Sequence, residues 1–258
     1  MRYKQVSTKS AKTLHNLYKW EIGIRRNDIC HEGKMTVCTL QHTLYLSKIN
    51  VRGEWMLKLE NLSERVNQKS LLSSINLEIA AGEIVALCGA NGVGKSKIVS
   101  AIAGIIHPVS GRILLAGKPL GKKTKSQIGF MFQHAEFMDN VKVKEMLCLF
   151  QSFYINPYSF NELVHLGLLQ ELLLKKTHEL SSGEQKRLSF ALSMVGRPLV
   201  LIADEPTAGM DEEMRNHFYQ QVQIAVDEGL AVLLITHSRE EREVLAHRIV
   251  LLKEGVVQ

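Results

Sequence analysis

The stretch Gly89-Ala90-Asn91-Gly92-Val93-Gly94-Lys95-Ser96 has the spacing G-x-x-x-x-G-K-S and directly follows the apolar run Ile84-Val85-Ala86-Leu87-Cys88. That spacing binds phosphate where a strand turns through a glycine-rich loop into a helix N-terminus, and both flanks here have the required character. Glycines let backbone N–H groups converge on phosphate oxygens without an intervening Cβ, and the opening helix adds unpaired donors and the positive end of its dipole. Lys95 then suits the β- and γ-phosphates of a nucleoside triphosphate, and the Ser96 hydroxyl suits Mg²⁺. A second run, Leu199-Val200-Leu201-Ile202-Ala203, ends in Asp204-Glu205-Pro206. Two adjacent carboxylates closing a buried strand are costly unless a cation or a water uses them. Asp204 suits Mg²⁺, directly or through a water, and Glu205 suits the base that polarises an attacking water. Taken alone, the pair could also be an ordinary strand-to-loop cap, the lesser of the two readings.

Four further strings narrow the reading. They are Leu180-Ser181-Ser182-Gly183-Glu184-Gln185-Lys186-Arg187-Leu188, Gln133 after Ile128-Gly129-Phe130-Met131-Phe132, Ala208-Gly209-Met210-Asp211, and His237 after Ala231-Val232-Leu233-Leu234-Ile235-Thr236. With the phosphate loop and the acidic strand they resemble, in order and spacing, the signature sequence, Q-loop, D-loop and switch histidine of ATP-binding cassette (ABC) ATPases. The resemblance covers roughly residues 56–258. It implies an α/β fold: a P-loop NTPase core with a mostly parallel sheet, an antiparallel β edge and a helical subdomain inserted at about 134–183. It implies ATP and Mg²⁺ as cofactors, with ATP held by Gly89, Ala90, Asn91, Gly92, Val93, Gly94, Lys95, Ser96, Lys97 and Gln133. The metal falls to Ser96, Gln133 and Asp204, and catalysis to Glu205, His237 and Lys95. In that family two subunits pack head to tail, so Ser181, Gly183 and Asp211 would contact ATP bound by a partner subunit. The expected partners are a second copy of the chain and a separate transmembrane permease, with no nucleic acid, at the cytoplasmic face of a cell membrane. The stretches 145–154, 206–209 and 236–241 look most like exporter ATPases; a soluble, non-transport ABC ATPase or an importer subunit is the alternative.

Three positions depart from the family pattern. Lys97 stands where a threonine is usual and is expected to point outward. Ser182 replaces the first glycine of the signature, and Ser181 followed by an acidic first turn also reads as a plain helix N-cap. The aromatic residue that stacks on adenine in this family falls near Arg65 or Val66, where none is present; the Arg65 guanidinium plane is a candidate replacement.

These residues require elements to hold them. Strand signals recur near 56–60, 75–79, 84–88, 112–116, 128–132, 199–203, 231–236 and 248–252, and helix signals near 95–103, 184–196, 211–228 and 239–246, an alternation that indicates an α/β core around a parallel sheet. Between them, Val143–Phe153 and Asn161–Leu174 are Leu-rich at helical spacing and separated by Asn156-Pro157. Their stripes Met146-Leu147-Phe150 and Leu166-Leu169-Leu172-Leu173 read as core packing, while Glu136, Phe137 and Met138 are candidate contacts for a membrane subunit.

The chain has 258 residues, 45% of them hydrophobic, enough for one large core or a core with a small lobe. Its +6 charge is uneven: ten Lys and Arg stand against four Asp and Glu in residues 1–54, leaving 22 of each beyond. A globally basic binding face is therefore not supported, and a polyanion-binding arm is the most the charge allows. No apolar run reaches the roughly 18–20 residues of a membrane span, and the first 30 residues lack the apolar core of a secretory signal. Cys30, Cys38, Cys88 and Cys148 are scattered, as expected for reduced thiols, and Cys30, Cys38, His31 and His42 match no common zinc spacing. Residues 1–55 fall outside the resemblance. They are read as an extension, disordered or arising from the start assignment, although Leu14, Leu17, Tyr18 and Ile22 beside Lys12, Lys19, Arg25 and Arg26 could form a basic amphipathic helix.

Overall fold

The computed structural model describes residues 55–66 and 69–258. β1 (Trp55–Val66) and β2 (Lys69–Ala80) form an antiparallel hairpin. β3 (Ile84–Cys88) then leads through the glycine loop into α1 (Lys95–Ala103). β4 (Ser110–Leu115), β5 (Lys118–Pro119) and the short α2 (Lys122–Lys125) precede β6 (Ile128–Met131). A helical lobe follows, with α3 (Val143–Gln151), α4 (Phe160–Leu166) and two single 3-10 turns. The chain continues through α5 (Ser182–Met194), β7 (Val200–Asp204), α6 (Glu212–Asp227), β8 (Ala231–Ile235), α7 (Arg239–Leu245), β9 (Arg248–Lys253) and β10 (Val256–Val257).

The strands divide into two sheets, one of order β2-β1-β4-β5 and one of order β10-β9-β3-β8-β7-β6. In the second, β9, β3, β8, β7 and β6 are all parallel and only β10 is antiparallel. β3 and β8 are buried at every residue, which is why their sequences, IVALC and AVLLI, are continuously apolar rather than alternating. One core fills the space between the two sheets around Ile98 and Ile102 of α1, and a second lies on the other face beneath Phe190 of α5, Phe218 of α6 and Leu245 of α7. The antiparallel part is a four-stranded sheet of its own, wholly antiparallel. β1 and β2 run well past the expected 56–60 and 75–79, because register shifts at Leu59/Leu62 and Leu62/Glu64 let the pairing continue through a stretch that does not alternate.

The expected helix over 161–174 is corrected. α4 stops at Leu166, Leu168 adopts φ 49°, and only one 3-10 turn, Gln170–Leu172, follows. The cause is a close crossing with α5: a Cβ on Gly167 would stand 2.8 Å from the Arg187 carbonyl, and Arg187 Nε donates to the Gly167 carbonyl at 2.9 Å. A continuous helix would not leave that carbonyl free to accept. The leucines still reach the lobe's core, where Leu169 and Leu172 pack with Val143, Met146 and Leu188.

Candidate functional site

The phosphate loop is shaped by three glycines with φ of 154°, 78° and 115° at positions 89, 92 and 94. Gly94 is the N-cap of α1 and needs to be glycine twice over: its φ is left-handed, and a Cβ there would sit 2.6 Å from Leu72 Cδ2. Leu72 is paired with Glu64, so the β1–β2 hairpin presses directly on the loop. Lys95 is 8% exposed, and its Nζ donates to the Gly89 carbonyl at 2.6 Å and the Ala90 carbonyl at 2.9 Å. Ala90, Asn91, Gly92 and Ser96 are exposed, whereas Val93 packs against the core. The first turn of α1 carries no acidic residue to compete for an anion. Lys97, expected to point outward, is half-buried instead, since the register that buries Ile98 and Val99 also brings its stem against the protein.

Sheet register gathers the other groups at the same edge. Leu87 pairs with Ile235 and Ile235 with Asp204, while Ala203 pairs with Met131. The segments leaving β3, β6, β7 and β8 at their carboxyl ends therefore bring Gly89, Gln133, Glu205 and His237 side by side, where open α/β sheets bind ligands. Glu205 adopts φ 47° although it is not glycine and precedes a proline. That backbone is held by its N–H donating to the Ile235 carbonyl at 2.8 Å, and its Oε1 accepts from the His237 N–H at 2.9 Å. The His237 Nε2 stands 3.9 Å from the same oxygen. Burial pushes both carboxyls above their ordinary ranges. Lys186, Lys95, His237 and His134 pull Asp204 back down, whereas for Glu205 the His237 N–H and imidazole oppose the negative charges of Glu241 and Asp204. The site thus presents a cation and helix donors on β3–α1 and half-buried anions on β7.

The donors available to a divalent cation are the Ser96 hydroxyl, the Asp204 carboxylate and the Gln133 amide, all oxygens, which fits a hard ion such as Mg²⁺. Among the described residues no group of three or more His, Cys, Asp or Glu could hold a metal.

The signature residues are arranged differently. Ser181 caps α5: its Oγ accepts from the Glu184 N–H at 3.3 Å, and Glu184 Oε2 accepts from the Ser181 N–H at 2.8 Å. Both readings of Ser181 are thus compatible, because a capping hydroxyl still has its proton to donate to an anion. Ser182 is the first residue of α5 and has no positive φ, so losing the family's glycine there imposes no strain. Gly183 is required by packing: a Cβ would lie 2.6 Å from the Gly209 carbonyl. Asp211 caps α6, accepting from the Met214 N–H at 2.8 Å. Within one chain these residues contact Glu184, Gly209 and Met214, and Ser181, Ser182 and Asp211 are exposed to solvent.

Several residues escape sequence reasoning. Thr207 donates to the buried Glu241, tying the segment after Glu205 to the helix after His237. Lys186, part of the signature string, is buried beside Asp204, and His134 faces the same carboxylate. Lys186 lies in the polar run Glu184-Gln185-Lys186-Arg187, which gives its burial no local signal in the sequence. Arg65 is exposed, and the basic amphipathic segment and the Cys30–His42 cluster lie outside the described residues. No described helix is long and apolar enough to cross a membrane.

Comparison with known proteins agrees with this geometry. The ABC transporter family profile matches residues 72–208. The chain is 29% identical over 204 residues to the Nod factor export ATP-binding protein I of Burkholderia pseudomallei, covering 76% of this chain and 67% of that protein. It is 31% identical over 211 residues to the spermidine/putrescine import ATP-binding protein PotA of Spiroplasma citri, covering 79% of this chain and 60% of that one. A dimeric bacterial ABC transporter cassette superposes with a TM-score of 0.70 at 25% identity, covering 79% of this chain and 97% of the cassette, which is also known in a post-hydrolysis state bound to ADP and Pi. With its phosphate loop, acidic strand end and switch histidine assembled at one sheet edge, the chain belongs to the ABC transporter family, as an ATP-binding and ATP-hydrolysing subunit.

Proposed function

We propose that two copies of this chain sandwich two MgATP molecules, each nucleotide lying between the phosphate loop of one copy and the α5 N-terminus of the other. The observation that carries this reading is the division of the site: Lys95, Asp204, Glu205 and His237 converge, while Ser181 and Ser182, at the start of α5, are exposed to solvent. A helix N-terminus ending in hydroxyls is a fitting lid for a γ-phosphate supplied by another subunit.

In the cis half, the loop N–H groups and Lys95 hold the β- and γ-phosphates, with Ser96, Asp204 and Gln133 as the oxygen donors toward Mg²⁺, which neutralises phosphate charge. Glu205 accepts a proton from the attacking water, and its raised basicity from burial suits that task. The His237 N–H fixes the carboxylate, leaving the imidazole 3.9 Å away to face the γ-phosphate. With no aromatic in the sequence from Asn61 to Leu72, Arg65 stacks on the base, and discrimination between ATP and GTP is weak.

The dimer drives a separate transmembrane subunit from the cytoplasmic face, with the helical lobe and exposed Glu136 at the contact; Phe137 and Met138 are half-buried against the lobe's own core and contribute support. Export is the favoured direction, from the exporter-like stretches and the Nod factor export relative; the 31% identity to a spermidine/putrescine import protein keeps import as the second reading. The 56–258 cassette is the working unit. Sizing Glu205→Gln with MgATP tests the sandwich: a stable dimer that does not hydrolyse is expected, and a chain that stays monomeric at saturating MgATP contradicts it.

A further inference from the structure

α5 carries one lysine into the protein interior. Lys186 is 7% exposed, and its Nζ donates to the Phe132 carbonyl at 3.2 Å and to the Asp204 carbonyl at 3.4 Å. Phe132 immediately precedes Gln133, and Asp204 immediately precedes Glu205. One ammonium group therefore grips the last peptides of two adjacent strands, β6 and β7, at the points where the chain turns into both halves of the cis site. Its stem springs from the helix whose N-terminus displays Ser181 and Gly183, five residues away from Ser181.

Stability does not account for this placement. Burying an ammonium is unfavourable, and two carbonyls are a modest return for three donors. The carboxylates of Asp204, Glu205 and Glu241 lie in the surroundings of Lys186, so the cation sits among anions. Replacing a whole buried ion cluster by apolar groups is often neutral or stabilising, whereas removing the ammonium alone leaves its carboxylates uncompensated and costs stability. What an apolar side chain cannot do is fix the distance between the two carbonyls and the helix.

We infer that Lys186 is a positioning residue for hydrolysis: it sets the placement of Gln133 and Glu205 relative to the helix that bears the signature residues. The inference rests on the functional reading above. A shift of α5, whose N-terminus engages the partner subunit's nucleotide, is transmitted through one side chain to the peptides that aim the base and the glutamine of its own site. Since Lys186 does not touch the phosphate loop, which carries most of the phosphate contacts, it governs turnover far more than nucleotide affinity.

The test compares Lys186→Met and Lys186→Arg in the full chain, measuring MgATP affinity, kcat and thermal midpoint. Lys186→Met should lower kcat by ~10–100-fold, the usual range for groups that orient a site from behind. Affinity should change far less than kcat, and the midpoint should fall while the chain stays folded at the assay temperature. Lys186→Arg should recover part of kcat, because a guanidinium can still donate to both carbonyls. An unchanged kcat in Lys186→Met, a loss of affinity matching the loss of kcat, or an arginine variant no better than the methionine one would overturn the inference. Wild-type chain that binds but does not turn over MgATP would remove the functional reading and the positioning role together; wild-type turnover with a fully active Lys186→Met would remove the positioning role alone.

Discussion

The carboxyl ends of β3, β7 and β8 hold groups in states that the fold alone would not choose, whereas the N-terminus of α5 satisfies itself. Glu205 takes a left-handed backbone before a proline, Asp204 and Glu205 are half-buried anions, and Lys95 is almost wholly buried. A single left-handed non-glycine residue costs about 1–3 kcal/mol. Ser181 and Glu184, by contrast, close a capping box that any helix would favour, and they do so on the surface. The contrast teaches where preorganisation is built in advance and where it awaits a partner: the cis half is rigid and costly, and the trans half is a stable surface that gains a role only when another copy brings a phosphate to it.

The most severe way to break the comparison is at the cis half. Lys95→Ala should abolish both nucleotide binding and hydrolysis, since it removes the cation that faces the phosphates; unchanged affinity by calorimetry would contradict that role. Glu205→Gln should cut kcat by ~10²–10⁴-fold, the span attributed to a positioned base, while binding survives. Steady-state hydrolysis at the wild-type rate would place the base elsewhere.

The trans half should respond in the opposite pattern. Ser181→Ala should lower turnover at saturating MgATP while the affinity of the dilute, monomeric chain stays the same, at a stability loss of about 1 kcal/mol from the missing cap. If monomer affinity falls with turnover, Ser181 belongs to its own site and the division of labour is wrong. A gentler test removes residues 1–54, which precede β1. Because every assembled site residue lies beyond them, hydrolysis should stay within a few-fold of the full chain, as expected for a terminal segment that closes no structured loop. A marked loss of ATP affinity, on the order of 1–3 kcal/mol, would show that an aromatic from that segment stacks on the base.

The smallest effect sharpens the comparison from the helical lobe. Burial raises the Glu162 carboxyl, but the Ser159 hydroxyl and N–H and the Arg197 guanidinium outweigh it, so its pKa lies below the ordinary range. A depressed carboxylate contributes stability above its unfolded pKa, and that contribution is lost as pH falls through the folded value. Glu162→Gln should therefore flatten the acid side of the stability curve slightly and leave turnover unchanged. Identical acid unfolding of the two chains would show that the cap and ion pair are too solvent-exposed to count.

Sequence by itself determined the elements whose physics is local. The glycines at 89, 92 and 94 announce a loop that only φ > 0 residues can trace, and the continuous apolar runs of β3, β7 and β8 announce strands covered on both faces, so the phosphate loop and the acidic end of β7 were legible as candidates locally, while Gln133, Ser181, Asp211 and His237 rested on the family resemblance. The helical lobe was less legible: Asn161–Leu174 reads as one helix, and the break after Leu166 follows from a crossing with Arg187 that lies 20 residues away in the chain. Only the tertiary structure decided which of the motif residues meet. Strand order puts β8 between β3 and β7, bringing His237 against Glu205; close packing makes Gly183 answer to Gly209; and one buried ammonium joins the Phe132 and Asp204 carbonyls. These are long-range placements. They depend on how separate segments bury their apolar faces together, and no window of residues, read singly, contains that information.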